Sequence, residues 1–307
     1  MKFKVAILTL LAIAISVFAS AQIETNNAGA RSAGIGNTST TIRDTWAVFN
    51  NPAATCRLQH ISAGIYYENR FLLKQTGYGA LAFQMPVHKS GKISLRVCYY
   101  GYKYYQYSRA TIGYSQQLFT NLYMGLNINY LHLSQAEYYG NANGMTFELG
   151  LYSQPVKNFA IGVYVFNPVN VSFFENRDMK MPVTMKLGLS YLFSDALLLA
   201  VETGKSINGY TPIFKGGIEY TLRKHFSFRA GISMLPIEYS FGLGYKIAGA
   251  TIDLAFAYHQ ILGLSPKISV QYEFSVTAEI FRSHCIHFLH GKPVGSGRKL
   301  HRITGHS

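Results

Sequence analysis

Ten charged residues recur at alternate positions of short segments: Arg96, Arg109, Glu148, Lys186, Glu202, Lys215, Glu219, Arg229, Asp253 and Lys267. Gly113, Gly125, Gly150, Gly162, Gly188, Gly217, Gly231, Gly242 and Gly244 share their face. Both signs occur, so two chemistries are open to the set. One is a structural network of ion pairs. The other is a path for an ion or a ligand. A charge turned toward lipid costs roughly 2–4 kcal/mol at the bilayer midplane. In a membrane these groups are tolerated where they face water or one another.

The familiar catalytic arrangements are missing. Gly34-Ile35-Gly36 lacks the third glycine and the strand-turn-helix setting of a dinucleotide fingerprint. There is no Gly-x-Ser-x-Gly elbow and no His-Glu-x-x-His pair. A triad assembled by folding stays open, but no spacing promotes any residue to a catalytic role. Cys56, Cys98 and Cys285 are odd in number and widely spaced, which gives neither a disulfide framework nor a metal pattern. The run His284-Cys285-Ile286-His287-Phe288-Leu289-His290 matches no familiar zinc spacing. The expectation is a non-enzyme with no metal and no cofactor.

The elements that would position the ten charges follow from a period of two. Leu122, Met124, Leu126, Ile128 and Tyr130 alternate with polar or small residues, as do Ile268, Val270, Tyr272 and Phe274. Such alternation separates the two faces of a strand. Segments of about nine to eleven residues suit tilted strands that cross a bilayer. Fourteen such segments can be placed, at 60–69, 75–85, 91–101, 106–116, 121–132, 144–153, 158–166, 182–192, 196–204, 212–221, 225–233, 237–246, 250–258 and 265–274. Short connections (154–157, 193–195, 222–224, 247–249) alternate with longer ones (133–143, 167–181, 205–211, 259–264). Outer-membrane barrels have short periplasmic turns and longer external loops. An even strand count puts both barrel ends on the periplasmic side.

Residues 1–21 read as a secretory signal, with Lys2 and Lys4, an apolar run from Val5 to Phe18, and Ala19-Ser20-Ala21 before the mature start at Gln22. An exported chain that is 49% hydrophobic and lacks a helical span has the closed barrel as its route into a bilayer. The 23 tyrosines and 20 phenylalanines suit interfacial girdles. The net charge of +14 is spread over turns, loops and inner faces rather than gathered in a nucleic-acid stripe, and lipid headgroups would suit it. The expected division is a signal at 1–21, a plug at 22–58, a barrel at 59–274 and a basic, His-rich, disordered tail at 275–307. The fold class is all-β: a transmembrane antiparallel β-barrel of about fourteen strands. Its lumen is too wide to be filled by wall side chains alone, so water or the polar, small-residue segment 22–58 must occupy it.

That segment contains Gly29-Ala30-Arg31-Ser32-Ala33-Gly34-Ile35-Gly36-Asn37, then Asp44, then Trp46-Ala47-Val48-Phe49-Asn50-Asn51-Pro52-Ala53. The pattern resembles the N-terminal signature of the PorV/PorQ family, outer-membrane barrels of Bacteroidota-type bacteria related to FadL-type transporter barrels. The resemblance implies fourteen strands with Gly29, Arg31, Gly34, Gly36, Asp44, Trp46, Asn51 and Pro52 in a plug tucked into the lumen. It also implies a bacterial outer-membrane location and a non-enzymatic role in type IX secretion, with outer-membrane lipid and secretion components or cargo proteins as partners. The alternative it carries is a FadL-like transporter of hydrophobic small molecules. Loop aromatics and aliphatics (Tyr138, Tyr139, Phe173, Phe174, Ile261, Leu262) would serve partner binding, or anchor the barrel at the membrane interface.

Overall fold

The structure, a computed structural model, describes residues 27–58, 60–88, 90–136, 140–170, 181–207 and 211–274. The signal at 1–21, the tail at 275–307 with Cys285 and its histidines, and Tyr138, Tyr139, Phe173 and Phe174 lie outside these residues.

Fourteen strands form the wall: β1 Ile61–Asn69, β2 Gly77–His88, β3 Gly91–Tyr102, β4 Tyr105–Phe119, β5 Leu122–Gln135, β6 Gly140–Val156 and β7 Phe159–Phe166 make up the first half. The second half is β8 Thr184–Leu192, β9 Leu197–Ser206, β10 Ile213–Leu222, β11 Phe226–Ser233, β12 Glu238–Ile247, β13 Ala250–His259 and β14 Gly263–Phe274. Each pairs with its sequence neighbours, and β1 closes the ring antiparallel to β14, with Ile61 opposite Phe274. No edge is left unpaired, which is what a bilayer demands of a sheet.

Burial follows the period of two with the polarity of a soluble protein reversed. Ile65, Leu81, Val97, Ile112, Phe228 and Leu254 are exposed outward, while Arg96, Asn127, Glu148 and Asp253 are buried inward. The alternation therefore separates a lipid-facing set from a lumen set.

Both barrel ends and the short connections 120–121, 157–158, 193–196, 223–225 and 248–249 lie at one end, called here the turn end. The opposite, loop end differs from expectation. The stretch 133–143 is mostly strand, because β5 runs to Gln135 and β6 starts at Gly140. The connection between β3 and β4 is only 103–104. Ser134, Asn141 and Asn143 continue the ladder with a polar outer face while Leu133 and Ala142 turn inward, so the membrane pattern of apolar outside and polar inside is inverted there.

Inside the ring lie two short helices, α1 (Ala30–Gly34) and α2 (Ala47–Asn50), followed by a 3-10 turn at Pro52–Arg57. Asn51, held extended before proline at φ −157°, caps that turn by accepting the Ala53 N–H at 3.1 Å. Its amide also donates to the carbonyls of Thr40 at 2.9 Å and, on the wall, Leu151 at 3.1 Å. Trp46 is fully buried, 5.7 Å from Tyr66 of β1 and 6.2 Å from Phe49 between ring centroids.

Candidate functional site

The lumen is the site, and backbone contact with the inner segment builds it. At Gly231 of β11, and at Gly217 paired with it on β10, an added Cβ would collide with the backbone of Ile35 and Gly36. Glycine is required there because no other residue lets two backbones approach so closely.

Around that contact the ten inner charges fall into clusters that also take hold of the inner segment. Glu148 pairs with Arg96, lies 3.4 Å from Arg109, and accepts from Asn127 at 2.8 Å and Asn129 at 3.1 Å. Arg96 donates in turn to the Val48 carbonyl at 2.6 Å and lies 5.0 Å over the Phe49 ring. Glu219 receives Arg31 through two bonds of 2.8 and 2.6 Å, and Arg229 through one of 2.6 Å. Arg229 reaches on to Asp253 at 2.8 Å. Glu202 accepts the Ser39 and Thr40 amides at 2.8 Å each, while its other oxygen stands 4.0 Å from Lys215. Lys186 donates to Asn27 at 2.8 Å. Lys267 pairs with Glu68 at 3.4 Å.

Bidentate guanidinium–carboxylate bonds and charge-assisted bonds to amides are the strong members of their class. Their combined effect here is to fasten residues 27–58 to the wall. Asp44 accepts the Trp46 N–H at 2.9 Å and stands 4.0 Å from Arg31. Burial outweighs that nearby guanidinium and pushes its carboxyl up to about 6. Arg31, Asp44, Trp46 and Asn51 thus anchor the segment, Gly29 packs its bare Cα against Trp46, and Gly34 lies against Gly242. Pro52 starts the 3-10 turn that seats against β4, β5 and β6.

The inner face carries more than was read from the sequence. Glu68 and Lys92 are also inward and buried. More telling is an apolar sector in the loop-end third of the lumen. Tyr107, Leu131, Leu133, Ala142, Tyr164 and Phe166 pack together with Met181, beside Tyr100 and Tyr105. The signal for it was present. Along β5 the inner positions change from Asn127 and Asn129 to Leu131 and Leu133, and β7 is apolar on both faces. A run apolar on both faces is buried on both. Two cavities border the inner segment. One at the loop end touches Asn27 and Asn37, and one at the turn end touches Arg31 and Arg43.

The closed barrel of fourteen antiparallel strands has counterparts among solved structures. The fold is FadL-like. The chain superposes on the TodX monoaromatic hydrocarbon channel, in its deltaS2 mutant, with a TM-score of 0.67 and 14% identity over 82% of this chain and 100% of that one. The Ralstonia pickettii toluene transporter TbuX gives 0.65 and 14% over 82% and 99%. A Pseudomonas aeruginosa FadL homologue gives 0.59 and 13% over 81% and 98%. These neighbours are outer-membrane barrels, the first described as a channel and the second as a transporter. No protein-family model matches the chain, and no curated protein does.

Proposed function

We propose that this protein is a bacterial outer-membrane channel for small hydrophobic molecules, entered from the loop end. The observation that carries the reading is the apolar sector lining β4–β7 inside the outer third of the lumen. A purely structural polar lumen has no use for Leu131, Leu133, Tyr164 and Phe166 on its inner face. The hydrocarbon channels whose fold it shares support the same direction. The segment 27–58 then acts as the barrier that keeps water and polar solutes out.

Whole-cell uptake tests this. Cells whose lipopolysaccharide-bearing outer membrane carries the protein should take up labelled toluene several-fold faster than cells without it. A hydrophilic solute of similar size should enter equally slowly in both. Equal toluene rates would end the reading.

A second reading follows from the motif at 29–53, which resembles that of PorV/PorQ barrels. In it the barrel is a rigid carrier that presents its loop end to secretion components or cargo. The exposed Ile261 (87%) and Leu262, with Leu72 and Leu73, favour it. If it holds, loss of the gene in the native host strips a defined set of proteins from the cell surface and leaves toluene uptake unchanged.

A further inference from the structure

The loop-end mouth of the lumen is chemically divided. Opposite the apolar sector lies a recess open to solvent, between the inner segment and strands β1, β8, β9, β10 and β14. Arg70, Lys186, Lys215 and Lys267 line it, against two carboxylates, Glu68 and Glu202, while the exposed Lys205 borders it from the outward face of β9.

Both carboxylates are already shared. Glu68 serves Arg70 at 3.2 Å and Lys267 at 3.4 Å. Glu202 commits one oxygen to the Ser39 and Thr40 amides, and the other stands 4.0 Å from Lys215. Four inward cations over two anions leave an excess of two positive charges on the described lining. A recess with an excess of one sign, walled by low-dielectric protein, concentrates counter-ions. Thr184, Ser206 and Thr211 add hydroxyl donors, while only Pro182 and Ile213 contribute apolar side chains. Two apolar side chains give a hydrocarbon little to contact here, whereas ammonium groups and hydroxyls suit a multiply charged anion.

We propose that this vestibule binds a soluble polyvalent oxyanion of the phosphate class. The proposal goes beyond hydrophobic passage and uses a different wall of the lumen, so either can fail without the other.

Calorimetric titration of the full barrel with inorganic pyrophosphate, in detergent free of lipopolysaccharide, tests it. Saturable binding that weakens as salt rises is expected. The double variant Lys186→Gln/Lys215→Gln and the single variant Lys267→Gln should each weaken it tenfold or more. Lys103→Gln, a loop-end lysine outside the cavity, should leave it unchanged. Heat-modified gel migration verifies that each variant is folded, and the single variant keeps the test alive should the double one misfold. A repeat in nanodiscs containing lipopolysaccharide separates the two sources of phosphate. Retained binding supports a soluble ligand, and binding abolished there makes the lipid headgroup the occupant and overturns the proposal. No saturable binding, or equal loss in Lys103→Gln, overturns it as well.

Discussion

Replacing Glu148 with alanine should lower the stability of the folded barrel by about 3–5 kcal/mol. The carboxylate is fully buried and is shared by Arg96, Arg109, Asn127 and Asn129. Its removal leaves two guanidiniums, each with a side chain no more than 2% exposed, without their counter-charge. An uncompensated buried charge costs far more than the net value of the pair it came from. Arg96 also holds the Val48 carbonyl, so its release loosens the inner segment as well as the wall. Denaturant unfolding in lipid vesicles provides the measurement. Trp46, the only tryptophan in the chain, reports the inner segment through its fluorescence. A loss below about 1 kcal/mol, the scale of an exposed pair, would mean that water reaches this cluster.

Gly231→Val should open the lumen. The new Cβ would occupy the space of the Ile35–Gly36 backbone, and the paired strand behind it has no room to retreat without breaking its ladder to β10 and β12. The cheaper response is for the inner segment to leave the wall. A barrel of about fourteen strands without a filling segment is wide enough to hold a water-filled channel. Ion conductance across a planar bilayer should rise from near baseline to that of an open pore, with Trp46 emission shifted to the red. Unchanged conductance in a correctly folded variant would show that the contact is slack.

The wall could be read from residue order because each strand carries its own periodic signal, repeated fourteen times. Ile61 through Phe274 announces itself locally, down to the parity that returns β14 to β1. The ten inner charges were found by the same alternation. What they do was not readable. Glu219 and Arg31 are 188 residues apart, and nothing in their separate surroundings says that they meet. The loop-end extension of β5 and β6 reads as loop in the sequence, since Ser134, Asn141 and Asn143 put polar residues where the membrane pattern calls for apolar ones. The apolar sector was overlooked for the opposite reason. Leu131 and Leu133 look like ordinary membrane residues until the register turns them inward. In the sequence Gly217 and Gly231 show only that they share the inner face, and the fold adds that the backbone of Ile35 and Gly36 fills the room they leave.

The most direct test of the central claim is photolabelling with an apolar diazirine added to intact cells that display the protein. Peptide mapping should place adducts on Leu131, Leu133, Tyr164 or Phe166, and excess toluene should suppress them. Adducts confined to outward residues such as Tyr130, Phe147 and Val165, unaffected by toluene, would contradict entry of a hydrophobic molecule into the lumen.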